Sequence, residues 1–236
     1  MDFVVGPLLL AATTAGNTKR FKSTLEMIRN INFEDDRKET ALHKAAARGY
    51  KDMVQLLLCK GASIEVIDRY NNTPLHLAAR NGHTGIVELL LQHGASIEAM
   101  GEDNYTPLHL AARENHTSVV ELLLENGALV GAMGEFNYTP LHLAARENSF
   151  TTVELLLKKG AAIEAIDEDR NTPLHLAALK GSLCAVKLLL LHDASIDAIN
   201  KYNKTPFDSA KRERHPHIVQ LLNNKLANLV VHRDCV

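Results

Sequence analysis

The chain has no tryptophan, three cysteines and 5% aromatic residues among its 236. Cys59, Cys184 and Cys235 are odd in number and far apart, which rules out a disulfide framework and suits a reducing compartment. Cys59 and Cys184 fall in apolar helical stretches, where each thiol is expected to be a small buried hydrophobe. Charge of one sign is also lacking. With 26 basic and 28 acidic residues the formal net charge is -2, so no global field calls for nucleic acid or an anionic membrane as partner. No run reaches the ~18 apolar residues of a membrane helix. The stretch from Phe3 to Ala15 has the length of an export-signal core, but Asp2 and no basic residue precedes it, so export is not expected. No G-x-x-x-x-G-K-[ST] loop, H-E-x-x-H or G-x-S-x-G occurs, which removes the commonest signatures of phosphate, zinc and nucleophile chemistry.

What is present is repetition. Thr-Pro-Leu-His begins at Thr73, Thr106, Thr139 and Thr172, a period of 33 residues, and degenerate copies at Thr40 and Thr205 keep the spacing. A fixed period of this size marks units that bury their apolar faces only against one another. In the unit beginning at Asp68, Thr73 is a good helix N-cap and Pro74 suits the first helical position, where its missing N–H costs nothing. Leu75, Leu77, Ala78 and Ala79 form the apolar side of this helix, and Gly82-His83 ends it. A second helix through Ile86-Val87 and Leu89-Leu90-Leu91 turns Glu88 to solvent and stops at Gly94, a residue that accepts the left-handed conformation without a Cβ penalty. An extended arm and tight turn from Ala95 to Asn104 lead to the next copy.

A helix–turn–helix plus hairpin carrying T-P-L-H-x-A resembles the ankyrin repeat over nearly the whole chain. The resemblance implies an all-α solenoid of helix-turn-helix units joined by β-hairpin-like loops, with hairpin tips and inner helices lining a concave protein-binding surface. The expected organisation is one solenoid over 1–236. It comprises a degenerate N-terminal cap at 1–34, internal repeats at 35–67, 68–100, 101–133, 134–166 and 167–199, a C-terminal cap at 200–225 and a tail at 226–236. Three departures stand out: Asp193 replaces the glycine that ends the second helix elsewhere, and Lys38 and Arg170 occupy the turn position held by Asn71, Asn104, Asn137 and Asn203. Local strain is expected at all three.

The twelve histidines invite a metal reading, with His43, His76, His109, His142 and His175 forming a ladder. Adjacent rungs should lie about one inter-helix distance apart, ~8–10 Å, whereas a shared zinc needs nitrogens at ~2.0–2.1 Å. No metal, cofactor or catalytic residue is therefore expected. The resemblance implies structural hydrogen bonds for this histidine instead.

Positions that vary while the framework repeats are the candidates for recognition. Arg80, Arg113 and Arg146 recur on the first helices, with Arg212 in the cap and Leu179 interrupting; pairing with neighbouring glutamates is the competing reading. Ile67, Met100, Met133, Ile166 and Ile199 form an apolar ladder at the hairpin bases, expected to pack under the next hairpin. The tips carry Tyr70, Asp103, Phe136 and Tyr202, with Tyr105 and Tyr138 just behind. A tip aromatic has little core to reach, and interface hot spots favour aromatics and Arg. Residues 99–115 and 132–148 differ only in Asp103 against Phe136, and that change falls on a tip.

The expected function is a non-enzymatic, intracellular, cytoplasmic protein-interaction module or scaffold, monomeric, binding neither nucleic acid nor membrane. The candidate contact residues are Tyr70, Arg80, Asp103, Tyr105, Arg113, Phe136, Tyr138, Arg146 and Tyr202. The alternatives are a secreted microbial effector delivered into a host cytosol and a regulatory fragment of a larger enzyme. Asp234-Cys235-Val236 also fits the acidic-x-apolar terminus that some PDZ domains accept by strand addition, against which stands an untethered tail.

Overall fold

A computed structural model of the protein describes residues 2–233, so the Asp234-Cys235-Val236 motif lies outside the described residues. The helices are α1 (Asp2–Thr14), α2 (Thr18–Met27), α3 (Ala41–Arg48), α4 (Lys51–Cys59), α5 (Pro74–Arg80), α6 (Thr84–Gln92) and α7 (Pro107–Arg113), followed by α8 (Thr117–Glu125), α9 (Pro140–Arg146), α10 (Phe150–Lys158), α11 (Pro173–Lys180), α12 (Leu183–Leu191), α13 (Pro206–Arg212) and α14 (Pro216–Arg233). No strand occurs among the described residues; the fold is the all-α repeat array expected. The connecting loops keep a hairpin turn without a ladder: the Asp68 amide donates to the Asn72 carbonyl at 3.0 Å, and that of Asn200 to Lys204 at 3.0 Å.

The chain forms two compact units, Met1–Ala111 with Ser118–Leu129, and Ala112–Thr117 with Val130–Val236, divided within α7 and at the start of α8. In the first, α1 packs on α2 and α3, α3 on α4 and α5, and α6 on α4 and α5. In the second, α11 packs on α9, α12 and α13, and α14 on α12 and α13.

Each core has the same two ingredients. The paired alanines of the first helices (Ala45-Ala46 and Ala78-Ala79 in one unit, Ala144-Ala145 and Ala177-Ala178 in the other) have no exposed surface, so neighbouring backbones approach closely. One leucine of each second helix from α4 onward is completely buried: Leu57, Leu90 and Leu123 in the first unit, Leu156, Leu189 and Leu222 in the second. The two cysteine expectations fail. Cys59 and Cys184 are exposed. Cys59 sits two residues beyond Leu57, about 200° round the helix from that buried row.

Turn chemistry follows the sequence. Lys38, Asn71, Arg170 and Asn203 have φ of 57, 61, 59 and 53°, all left-handed, and Asp193 has φ 59° where Gly61, Gly94, Gly127 and Gly160 lie between 83 and 92°. A Cβ at those four glycines would touch nothing within 4 Å, so conformation rather than space selects glycine there.

Leu90→Ala or Leu123→Ala should lower unfolding free energy by about 2–5 kcal/mol, since each empties a closed site; urea denaturation measures it. Asp193→Gly should raise stability by about 0.5–1 kcal/mol by relieving left-handed geometry. An unchanged or lowered urea midpoint would show that Asp193 has a compensating interaction.

Candidate protein-binding surface

The surface is positioned by a repeated buried bridge. In α3 the His43 Nδ1 accepts from the Thr40 backbone amide at 3.2 Å and lies 3.0 Å from the Thr40 hydroxyl, while Nε2 reaches the Asn72 carbonyl of the next hairpin at 3.0 Å. His76 repeats this with Thr73 and the Tyr105 carbonyl (3.0 Å), and in the second unit His142 reaches Asn171 (3.1 Å) and His175 reaches Lys204 (3.0 Å). A carbonyl can only accept, so Nε2 carries the proton and Nδ1 is the acceptor. Burial, the largest effect, holds the pKa of His43, His76, His142 and His175 below the ordinary imidazole value, that of His76 down to about 4. These four histidines thus fasten α3, α5, α9 and α11 to the hairpin that follows each. No group of three or more His, Cys, Asp or Glu able to hold a metal occurs among the described residues.

Other side chains complete the stacking. Ser149 Oγ donates to the Arg113 carbonyl (3.2 Å), Ser182 Oγ to Arg146 (2.7 Å), and His215 Nε2 to Leu179 (3.1 Å), each satisfying a carbonyl at the end of a first helix. Glu65 and Glu164 accept from the Ser96 and Ser195 amides at 2.8 and 2.7 Å. Backbone bonds join successive tips: the Arg69 amide to the Arg37 carbonyl (2.9 Å), Glu168 to Phe136 (2.9 Å), and Lys201 to Asp169 (2.8 Å).

In the first unit Tyr70 is exposed with the Arg69 guanidinium 4.7 Å from its ring centroid, and Arg80 and Asp103 are exposed. Tyr105 does not meet its expectation. It is only 6% exposed, stacked on the His109 ring at 5.2 Å, so it supports the hairpin rather than presenting a contact. In the second unit Phe136 is 53% exposed and meets Tyr138 edge-on at 6.2 Å, and the Arg146 guanidinium lies 5.7 Å from the Tyr138 ring centroid. Phe136 and Tyr138 border a groove of ≈ 380 Å³ with Glu168 and Asp169 on its wall. Arg113 and Arg146 pair with the adjacent Glu114 and Glu147 at 3.1 and 2.8 Å, as the competing reading of the Arg ladder expected, and line a shallow hollow of ≈ 480 Å³. Tyr202 is exposed, with the Lys201 ammonium 5.2 Å from its ring centroid.

The apolar ladder departs most from expectation. Ile67, Met100, Met133, Ile166 and Ile199 are 47 to 61% exposed instead of packed under a hairpin. Successive side chains of an extended arm point to opposite sides, and the residue after each rung takes the inward side. Asp68, Asp167 and Asn200 are buried there, accepting turn amides such as Asn72 and Asn171 at 2.9 and 2.7 Å. At Gly101 a Cβ would come within 2.6 Å of Asn72 Oδ1 and 2.9 Å of the His76 ring. The polar demands of the turn therefore push the apolar neighbour outward.

A family model described as ankyrin repeats matches the chain in three copies, over residues 8–101, 96–167 and 160–232. No curated protein matches it significantly. No helix among the described residues is long and apolar enough to cross a membrane.

The buried histidines set a pH dependence. Their folded pKa lies below the ~6.5 of the unfolded chain, so the unfolded state binds more protons on acidification. The stability they confer is fully present above about pH 6.5 and is lost as pH falls towards the folded values. Denaturant midpoints should fall through that window, and NMR titration of the His76 ring should give a midpoint near 4. A His76 midpoint near the unfolded value would contradict the bridge.

Proposed function

Because the chain belongs to the ankyrin repeat family, we propose that it is a non-enzymatic protein-binding module whose contacts are made by hairpin tips and the exposed ends of first helices. Members of this family are generally protein–protein interaction modules. In the second unit the contact residues are Phe136, Tyr138, Arg113, Arg146 and Tyr202; in the first they are Tyr70, Arg80 and Asp103. Tyr105 is excluded by its burial. The module acts intracellularly and as a monomer, with protein rather than nucleic acid or membrane as partner, in keeping with its near-neutral charge.

Phe136 carries the reading. It holds φ 54°, a region that bulky residues rarely enter, yet its ring is half exposed and its twin Asp103 adopts φ 58° in a nearly identical segment. Neither burial nor backbone preference selects an aromatic there. Backbone strain retained for a single edge contact, that with Tyr138, is a mark of a functional position, and a rigid aromatic offers a partner apolar area at small entropic cost. Histidine, glycine and leucine are meanwhile committed to stacking, which leaves little from which to assemble catalysis.

Phe136→Asp should leave stability within about 0.5 kcal/mol, because the lost edge contact with Tyr138 is offset by relief of the left-handed aromatic. It should weaken partner binding by about 1 kcal/mol or more. Quantitative affinity purification of wild type beside Phe136→Asp and an Arg113→Ala/Arg146→Ala variant, each checked by urea denaturation, tests this. Unfolding by Phe136→Asp with undiminished partner recovery would make Phe136 a packing residue and sink the reading.

A further inference from the structure

The groove pattern breaks once in the second unit, at the repeat before the C-terminal cap. In the preceding repeat Tyr138 and Arg146 sit together, the guanidinium over the ring at 5.7 Å. At the equivalent positions the next repeat has Asn171 and Leu179, neither of which can refill that space. A hollow of ≈ 660 Å³ opens there, lined by Asn171, His175 and Leu179, by Tyr202 and Lys204 of the last hairpin, and by Asp208, Lys211 and Arg212 of α13. Its size falls within that of pockets that enclose small ligands or a few peptide side chains.

Its charges are unbalanced. Asp169 is held by an ion pair with Lys201. Asp208 is spent as a helix cap, accepting from the Thr205 amide and hydroxyl, each at 3.0 Å. Those Thr205 hydrogen bonds, with smaller contributions from Lys204 and Lys211, keep its carboxyl below the usual carboxylate range and so ionised at neutral pH. Arg212 shares an exposed pair with Glu213 at 2.9 Å. The ammonium groups of Lys204 and Lys211 have no hydrogen bond or ion pair among the described residues. Lys204 of the last hairpin and Lys211 of α13 thus line the hollow beside the apolar Leu179 and the exposed Tyr202, each attracted by Asp208 but held in no ion pair.

We infer that this hollow is a distinct docking pocket for an acidic peptide segment of a protein partner, taking an Asp or Glu carboxylate between Lys204 and Lys211 and an adjoining aliphatic or aromatic side chain against Leu179 and Tyr202. The inference rests on the chain being a protein-binding module and adds to that reading a second site and the chemistry it selects. Nucleic acid is disfavoured: the formal net charge is -2, and the acidic Asp169 and Asp208 share the pocket wall.

The test is to pan a phage-displayed library of short random peptides on the full chain and to measure the selected peptides, synthesised with a fluorophore, by anisotropy. The selected sequences should place Asp or Glu beside an aliphatic or aromatic residue. Affinity should fall about tenfold or more in Lys204→Glu/Lys211→Glu, and likewise in Leu179→Arg, which restores the side chain that Arg80, Arg113 and Arg146 supply in the preceding repeats and fills the hollow. Phe136→Asp is measured beside them, and Glu88→Gln, an exposed substitution on α6 of the first unit that lines neither hollow, should change it by less than about twofold. Circular dichroism and urea midpoints establish that each variant folds; should Leu179→Arg unfold, the double lysine variant, confined to exposed side chains, decides alone. Selected peptides without acidic residues, or acidic peptides indifferent to both pocket variants, overturn the pocket. Binders sensitive only to Phe136→Asp overturn it while leaving the tip-binding reading standing. Failure to select any peptide overturns the pocket, whereas the tip reading is judged separately by partner recovery.

Discussion

Everything in this protein hangs on an imidazole that is buried and satisfied on both nitrogens. Nδ1 accepts from the capping threonine of its own helix, and Nε2–H donates to a carbonyl of the next hairpin, as His142 and His175 do to Asn171 and Lys204. An unsatisfied polar group at such depth would cost about 1–3 kcal/mol, so helix start and following hairpin are held in one register. The final copy shows the same logic in reverse. Asp208 stands where histidine would be, and its carboxylate accepts from Thr205 in place of Nδ1. An ionised carboxylate has no proton to offer onward, and among the described residues no hairpin follows α13 and α14.

Because register is set from inside, the hairpins are free to vary outside. In the arms ending at Asp68, Asp167 and Asn200 the inward residue caps the turn, and its neighbour is forced into solvent whatever its polarity. This is why Ile67, Ile166 and Ile199 are exposed although each is apolar. The tips add side chains that no stacking interaction demands, and the Phe136–Tyr138–Arg146 cluster includes an edge-on ring contact and a guanidinium over the Tyr138 ring. Where the cluster is dismantled, at Asn171 and Leu179, the same scaffold encloses a hollow instead. One framework therefore yields a ridge in one repeat and a pocket in the next by two side-chain changes.

The backbone carries its own record of which positions serve folding and which do not. Asn71, Asn104, Asn137 and Asn203 take left-handed geometry at modest cost because their short polar side chains tolerate it. Phe136 adopts the same geometry with no such excuse. Asp103 at the twin position shows that the turn closes without an aromatic ring.

Period, capping residues and apolar spacing were enough to determine the repeat class and the helix pairs, because these depend on local propensity and on a pattern copied every 33 residues, while the bridging role of the histidines came from the family resemblance. The left-handed turns at Lys38, Arg170 and Asp193 were legible for the same reason. Whether a given side chain of the hairpins faces core or solvent was not. The burial of Tyr105 on His109 and the outward apolar ladder turn on which neighbour claims the inward side. That competition is settled by contacts between residues about 30 positions apart, such as Glu102 to Asn72 and Asn200 to Asn171, and only tertiary packing brings such partners together.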